Sequence, residues 1–299
     1  MFDDIIGNEK IKQQLKQAVD FKKTSHSYLF LGISGIGKKM IAKEFAKMIL
    51  CENEEKYCGH CKSCIEFDSN NNPDFQLIQP DGASLKIDQI RQMQKKILEA
   101  PIISKNKVYI IDDADLMTTE AQNCLLKTLE EPPEFVTIIL IGSKENSFLS
   151  TIKSRCTIIK FQKIENEQIR NYLRVNYEIN NISDEMLDIF GGSIGKAKEL
   201  KDKEELFSNL VQIIKKIKVL DLPDVLKKAD IIYKSQEDKN DILEAMNIIL
   251  FKMSKQDIRY LNCIDIVEDT VKRLSANANY NMSIDNMLIK IWEEMHWKI

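Results

Sequence analysis

The chain has 299 residues, of which 43% are hydrophobic and 30% are charged, and its formal net charge is −3. This balance is ordinary for globular domains and excludes a collagen-like, fibrous or wholly disordered chain. It also excludes a polycation, so any nucleic acid must be met by a local patch or through an assembly. Since a domain usually has about 100–200 residues, the length predicts two or three domains.

Three short apolar runs in the first part of the chain predict buried strands, because each is too short for a typical helix and β-branched residues are frequent in two of them. Two further runs, one after Pro73-Asp74 and one after a polar turn, predict a fourth and a fifth strand. Four amphipathic segments around these runs predict helices. The strands are expected at Tyr28–Leu31, Phe75–Ile78, Val108–Ile111, Val136–Ile141 and Thr157–Phe161, and the helices at Lys10–Val19, Lys38–Leu50, Ile87–Leu98 and Thr119–Leu129. Strands that alternate with helices indicate an α/β domain with a mostly parallel, doubly wound sheet.

The rest of the chain is poor in glycine and proline, which favours helices throughout. Three helices are expected at Glu165–Tyr177, Asp184–Phe190 and Ile194–Lys203, followed by about five longer amphipathic helices from Glu205 to His296. We therefore predict three domains, namely an α/β domain over residues 1–163, a three-helix lid over 164–204 and an all-α collar over 205–299.

The strongest short motif is Gly32-Ile-Ser-Gly-Ile-Gly-Lys38, which follows a predicted strand and opens a predicted helix. It matches G-x-x-x-x-G-K, the phosphate-binding loop of nucleotide-binding proteins. Its glycines let backbone N–H groups surround a phosphate, and its lysine reaches the outer phosphates. The next position ordinarily supplies a hydroxyl to Mg²⁺, but here a lysine replaces it, and a cation cannot ligate a cation. The candidate loop residues are Gly32, Gly35, Gly37, Lys38 and Lys39.

Two carboxylates, Asp112 and Asp113, follow the predicted strand that ends at Ile111. Asp112 holds the place of the residue that orients the metal, and Asp113 stands where a longer glutamate would polarise the attacking water. Its carboxylate lies one methylene further back, a distance that matters in catalysis. Because Lys39 also impairs the metal-ligand chemistry, the sequence predicts absent or weak ATP hydrolysis. Two alternatives stay open at this point: the loop binds ATP and Mg²⁺ without efficient turnover, or it binds no nucleotide.

Four of the seven cysteines fall within fourteen residues, at Cys51, Cys58, Cys61 and Cys64. Four thiolates at this spacing satisfy tetrahedral Zn²⁺ and leave no open coordination position, so we predict one structural zinc. Gly59 allows the tight turn between ligands. His60 is an alternative to one of the cysteines as a ligand.

Several further segments accompany the phosphate loop and the four cysteines along the chain. In their order and sequence, these segments and motifs resemble the bacterial clamp-loader subunits of the AAA+ class. The resemblance spans about residues 2–200, and its most specific parts are the segment at 121–133 and the Ser-Arg-Cys tripeptide. The segments are Phe2–Gly7, His26–Phe30, Asn72–Asp74, Asp112–Asp115, Ala121–Pro133 and Ser154–Cys156.

Within this family, Lys39 and Asp113 resemble the delta-prime type of DNA polymerase III subunit more than the gamma/tau motor type. The resemblance implies a stator-like subunit that helps to load the sliding clamp onto primed DNA. Arg155 would then be the catalytic arginine finger in trans, offsetting charge on ATP bound by a neighbouring subunit. Ser143 and Lys196 match positions at which relatives carry nucleotide sensors.

The partners that the resemblance implies are gamma/tau-type and delta subunits in a hetero-oligomeric ring, with the sliding clamp and primer–template DNA reached through that assembly. Nucleotidyltransferase activity would belong to the holoenzyme, because the chain carries no polymerase signature. Two alternative functions stay open: a gamma/tau-type ATPase motor and a zinc-bearing nucleic-acid-binding module. The acidic N-terminus lacks the layout of a signal peptide and no apolar run is long enough for a membrane span, so we expect a cytoplasmic location.

Overall fold

The computed structural model describes residues 2, 4–54, 57–235 and 239–296. The chain divides into two compact units, one comprising Met1–Gln168 with Ser193–Gly195 and the other Ile169–Gly192 with Lys196–Ile299. The first unit contains a sheet with helices, and the described residues of the second unit form helices and their connections. The separation of a lid over 164–204 from a collar over 205–299 stays a prediction.

The sheet of the first unit has five parallel strands in the order β2-β3-β4-β1-β5. All five predicted strands are present, and their ends differ from the prediction by one residue at most. Strands β1, β3 and β4 are buried along their whole length, which explains why they occur as continuous apolar runs. The strands are β1 (Ser27–Leu31), β2 (Phe75–Ile78), β3 (Lys107–Ile111), β4 (Val136–Gly142) and β5 (Thr157–Lys160).

Helices cover both faces of this sheet. On one face Phe30 and Ile110 pack with the first two helices, and on the other face Leu29 and Ile111 pack with the fourth and fifth. The alternation of neighbouring strand residues between two hydrophobic cores confirms the doubly wound α/β fold. The helices are α1 (Glu9–Asp20), α2 (Lys38–Leu50), α3 (Lys62–Asp68), α4 (Ile87–Ile97), α5 (Thr119–Glu130) and α6 (Ser150–Lys153).

The carboxyl ends of the central strands lie together at one edge of the sheet. Leu31, at the end of β1, is paired with Gly142 at the end of β4, and Ile111, at the end of β3, is paired with Leu140. In open α/β sheets the ligand binds outside this edge. The phosphate loop, the paired carboxylates and Ser143 each follow one of these three strands, so the topology brings them together.

Among the residues that the structure describes, nine helices follow the sheet, from α7 (Asn166–Tyr177) onward. About five longer helices were predicted from Glu205 to His296, and the described residues there contain four helices of 13 to 17 residues. Two further helices, α11 (Leu222–Lys228) and α12 (Asp230–Tyr233), have only seven and four residues. Within the described part of the chain, no helix has the length and apolar character needed to cross a membrane. The helices are α7 (Asn166–Tyr177), α8 (Asp184–Phe190), α9 (Ile194–Leu200), α10 (Glu204–Lys216), α11 (Leu222–Lys228), α12 (Asp230–Tyr233), α13 (Lys239–Ser254), α14 (Arg259–Ser275) and α15 (Tyr280–His296).

Candidate functional site

The predicted phosphate loop connects β1 to α2. Gly35 and Gly37 have φ values of +74° and +92°, a region that residues with a side chain rarely adopt, so glycine is needed at both positions. Nζ of Lys38 donates to the carbonyl oxygens of Gly32 at 2.6 Å and Ile33 at 2.7 Å. The loop therefore binds the ammonium of its own lysine.

Ser143, a predicted sensor position, lies beside this lysine. Its Oγ is 3.4 Å from Nζ of Lys38, and its backbone N–H donates to Oδ1 of Asp115 at 3.1 Å. Burial lowers the pKa of Lys38, while the carboxylates of Asp115, Asp113 and Asp112 act in the opposite direction. Lysine and carboxylates thus form one electrostatically coupled group at the edge of the sheet.

Lys39, which replaces the expected hydroxyl residue, pairs with the carboxylate predicted to orient a metal. Its Nζ lies 2.9 Å from Oδ2 of Asp112, and Nε2 of Gln79 donates to the same oxygen at 3.3 Å. A magnesium site needs oxygen ligands around the cation, and here an ammonium already satisfies the carboxylate. This arrangement disfavours Mg²⁺ at the position where P-loop NTPases hold it.

Asp113 follows in a left-handed backbone conformation, with φ of +48°. Burial and the negative charges of Asp112 and Asp115 raise the pKa of its carboxyl group, and Lys38 and Lys39 oppose this effect. The raised pKa reflects burial first and the two neighbouring carboxylates second. The raised pKa does not replace the missing methylene group, because the carboxylate oxygens of Asp113 extend less far from the backbone than those of a glutamate would.

A segment far along the chain packs directly on the phosphate loop. The backbone N–H of Gly195 donates to the carbonyl oxygen of Gly35 at 2.9 Å. A Cβ atom added to Gly35 would lie 2.3 Å from Oγ of Ser193 and 2.9 Å from Cα of Gly195. Gly35 was identified from the sequence as a loop glycine, but this close approach of two backbones has no sequence signal. In the second unit, Nζ of Lys196 pairs with Oε2 of Glu244 at 2.7 Å.

Arg155, the predicted arginine finger, lies between α6 and β5 with 32% of its side chain exposed. One end of its guanidinium forms an ion pair with Glu130. The other end donates to the carbonyl oxygen of Thr151 at 2.9 Å and to Oγ of Ser154 at 3.3 Å. Burial raises the pKa of the neighbouring Cys156 thiol to about 12, which is typical of a structural cysteine and not of a reactive one.

The four clustered cysteines converge on one point. Their Sγ atoms all lie within 4.8 Å of one another, with Cys51 at 3.7 Å from Cys58 and 4.0 Å from Cys61. Zinc–sulfur bonds of about 2.3 Å in a tetrahedron require sulfur–sulfur separations of about 3.8 Å. The cluster, completed by Cys64, therefore fits a tetrahedral metal ion.

The local fold supports four thiolate ligands. Gly59 has a φ of +73°, and the backbone N–H groups of Cys61 and Cys64 donate to the sulfurs of Cys58 and Cys61 at 3.3 and 3.4 Å. These bonds stabilise negative charge on sulfur. His60 is the poorer candidate, because both of its ring nitrogens have other partners: Nδ1 bonds the carbonyl of Cys58 at 2.8 Å, and Nε2 bonds Nδ2 of Asn53 at 3.2 Å.

A buried polar network holds the cysteine module, which we define as residues 51–64, against the sheet. The carboxylate of Asp74 accepts three backbone N–H groups, those of Ile102, Ile103 and Ser104, each at 2.7 Å. Oγ of Ser104 donates to the carbonyl of Leu50 at 2.8 Å, next to the first cysteine. The loop before β3 is thereby fixed to the end of α2.

The same network reaches α3. Oγ of Ser104 lies 2.8 Å from Oγ of Ser63, and Nδ2 of Asn72 donates to the carbonyl of Ser63 at 2.9 Å. Oδ1 of Asn72 accepts the N–H of Asp74 at 2.9 Å. The Asn-Pro-Asp segment was noticed in the sequence only as part of a family pattern, and the structure assigns it this bracing position.

A parallel sheet with a phosphate loop after β1, paired carboxylates after β3 and a polar residue after β4 defines a P-loop protein of the AAA+ class. The sequence model of a family described as "DNA polymerase III, delta subunit" matches residues 7–165, and the chain belongs to that family. The family that the sequence motifs indicated is thus confirmed.

Similar proteins include subunits of more than one type. The delta-prime subunit of DNA polymerase III from Bacillus subtilis is 34% identical over 212 residues, covering 71% of this chain and 64% of that protein. The tau subunit from Bacillus subtilis is 35% identical over 262 residues, covering 83% of this chain and 46% of that protein. The chain thus spans between about half and just under two thirds of these relatives. Because both types are similar at nearly equal identity, the distinction between them depends on residues of the site.

A solved structure supports the fold. The DNA polymerase III gamma subunit-related protein from Thermotoga maritima has a TM-score of 0.50 and 18% sequence identity, covering 95% of this chain and 100% of that chain. At this identity the likeness concerns the fold alone.

Proposed function

We propose that the chain is a delta-prime-type, stator-like subunit of a clamp loader, which helps to load a sliding clamp onto primed DNA. The observation that carries this proposal is the ion pair between Lys39 and Asp112, with 2.9 Å between Nζ and Oδ2. Phosphoryl transfer in P-loop NTPases depends on Mg²⁺ held at this position. An ammonium there repels the metal, so the chain has absent or weak ATPase activity of its own.

Arg155 supplies the active part of the proposal. Its partly exposed guanidinium reaches ATP bound by a neighbouring gamma/tau-type subunit and offsets the charge that develops on the transferred phosphoryl group. The ring also contains a delta subunit, and the clamp and primer–template DNA are reached through the assembly. The partial exposure of Arg155 and its place outside the chain's own phosphate loop support a role in trans.

The cysteine module has a structural role in this proposal. One Zn²⁺ bound by Cys51, Cys58, Cys61 and Cys64 would hold together the connection between α2 and α3, and a closed set of four thiolates is typical of structural zinc. The sulfur–sulfur distances of 3.7 and 4.0 Å support the fit.

The test is the DNA-stimulated ATPase rate of the reconstituted complex with clamp and primed DNA. Arg155→Ala should leave the subunit folded and assembled and should lower that rate. A trans arginine is worth roughly 10³–10⁵ in rate at a site that depends on it, and the total loss is smaller where other sites fire independently. Arg155→Lys should not rescue the rate, because a point charge does not reproduce the planar fork.

The control is Arg174→Ala, which removes another exposed arginine whose guanidinium bonds Asn171 at 2.8 Å. It should leave the rate unchanged. An unchanged rate for Arg155→Ala in a fully assembled complex would contradict the proposal and assign Arg155 a local structural role.

A further inference from the structure

The guanidinium of Arg155 is held by its own chain. Its Nη2 forms an ion pair with Oε1 of Glu130, the last residue of α5. Its Nη1 donates to the carbonyl oxygen of Thr151 at 2.9 Å and to Oγ of Ser154 at 3.3 Å. Two sides of the cation are thus engaged by separate groups, a charged one on α5 and neutral ones around α6.

The two sets of contacts differ in what they do to the charge. The carbonyl and hydroxyl oxygens orient the guanidinium but leave its positive charge in place. Glu130 neutralises that charge, and the carboxyl end of α5, where the helix dipole is negative, adds to the attraction. A phosphate approaching Nη2 therefore meets a carboxylate that already occupies this edge.

We propose that Glu130 is a latch that holds Arg155 in its own subunit until the triphosphate of a neighbour's nucleotide displaces it. This inference rests on the proposed function, in which Arg155 acts in trans. The ligand that opens the latch is a polyphosphate, since its oxygens are acceptors of the same kind as a carboxylate and carry more negative charge. Glu130 is a positioning residue: it sets how readily the finger is released and does not touch the reacting atoms.

The strength of the ion pair between Glu130 and Arg155 determines how far the latch raises the ATP concentration needed for half-saturation. Glu130 and Arg155 have side chains that are 47% and 32% exposed, so water and salt screen their attraction. Displacing an exposed ion pair of this kind raises the ligand concentration needed for half-saturation by about two- to fivefold. A latch of this strength delays engagement at low ATP and is fully open at saturation.

The experiment compares Glu130→Gln with Glu131→Gln in the reconstituted complex with clamp and primed DNA. Glu131 is the adjacent exposed carboxylate, so its variant removes the same charge one position along. Glu130→Gln should lower the ATP concentration for half-maximal ATPase by about two- to fivefold and leave the maximal rate unchanged. Glu131→Gln should change neither value. The difference between the two variants should shrink as salt is raised.

A double variant separates the latch from other roles of Glu130. In an Arg155→Ala background, Glu130→Gln should have no further effect, because the group that it releases is absent. Unchanged half-saturation in Glu130→Gln would overturn the latch. A lower maximal rate would overturn it as well, since Glu130 would then hold the finger in its productive orientation.

Failure of the latch and failure of the proposed function give different results. If Arg155→Ala lowers the ATPase rate while Glu130→Gln behaves as wild type, the trans role stands and the latch is wrong. If Arg155→Ala has no effect in an assembled complex, both are wrong.

Discussion

Nζ of Lys39 lies 2.9 Å from Oδ2 of Asp112, so the phosphate loop and the carboxylate after β3 are joined by a direct ion pair. In a Mg²⁺-dependent site these two elements are joined through the metal and its oxygen ligands. Here a covalently attached ammonium makes the connection. The two halves of the site are therefore linked without a bound cation.

This ion pair predicts how the isolated chain responds to ATP. Wild type should hydrolyse ATP negligibly, and any nucleotide binding should be insensitive to EDTA. Lys39→Thr restores the missing hydroxyl and should make nucleotide binding depend on Mg²⁺, measured by titration calorimetry with and without EDTA. It should not restore turnover, because Asp113 is short and the trans arginine comes from another chain.

Two results would contradict this prediction. One is Mg²⁺-dependent hydrolysis by the wild-type chain alone that disappears in Lys38→Ala, which would support the motor function. The other is nucleotide binding by Lys39→Thr with no dependence on Mg²⁺. Lys43→Thr, a lysine change one turn further along α2, is the control and should leave the EDTA response as in wild type.

The cysteine module predicts one zinc per chain. Protein purified without chelator should contain about one Zn²⁺, measured by elemental analysis, and chelation should lower the melting temperature because metal binding is coupled to folding. Cys61→Ser should lose the metal, whereas Cys124→Ser, which lies on α5, should retain it. A stable protein without metal and with disulfides in this module would contradict the site.

The sequence predicted the elements whose own residue pattern determines them, and it missed elements that form through contacts with neighbouring segments. Strands β1 and β4 could be predicted within one residue because burial on both faces selects continuous apolar runs. Helix α3 was missed because it has only seven residues and its N-cap is Cys61, whose sulfur accepts the N–H of Cys64. Such a helix depends on the geometry of the cysteine module more than on its own pattern.

The site shows the same division. The phosphate loop and the four cysteines are local in sequence, so spacing alone predicted them. The partners of Lys39 and Arg155 come from other elements, β3 and α5, and no spacing rule connects them. The sequence showed which residues carry charge, and only the fold showed which charges meet.

The buried carboxylate of Asp74 predicts a large loss of stability on a small change. It accepts three backbone N–H groups at 2.7 Å, and an asparagine would place an N–H₂ group against some of these donors. Asp74→Asn should therefore lower the free energy of unfolding by about 2–3 kcal/mol, measured by urea denaturation. Asp88→Asn, an exposed carboxylate paired with Arg91, should change it by less than about 0.5 kcal/mol. Equal losses for the two variants would contradict the network.

The contact between Gly35 and residues 193–195 predicts that alanine is more destabilising at Gly35 than at Gly82, a glycine of similar backbone conformation. Gly35 has a φ of +74° and Gly82 a φ of +77°, so alanine meets a comparable backbone strain at both. A Cβ atom at Gly82 has no neighbour within 4 Å, whereas one at Gly35 would lie 2.3 Å from Oγ of Ser193 and 2.9 Å from Cα of Gly195. Gly35→Ala should therefore lower the free energy of unfolding by about 1–3 kcal/mol more than Gly82→Ala, since the side-chain clash adds to the strain.

Urea denaturation of both variants measures this difference, and Ser193→Ala divides it into its parts. Removing the Ser193 hydroxyl leaves the backbone of Gly195 in place, so Gly35→Ala in a Ser193→Ala background should recover only part of the loss. Complete recovery of the free energy of unfolding would mean that the new methyl group clashes with the Ser193 hydroxyl alone. Equal losses for Gly35→Ala and Gly82→Ala would mean that residues 193–195 do not rest on the phosphate loop, because backbone strain would then account for the whole effect.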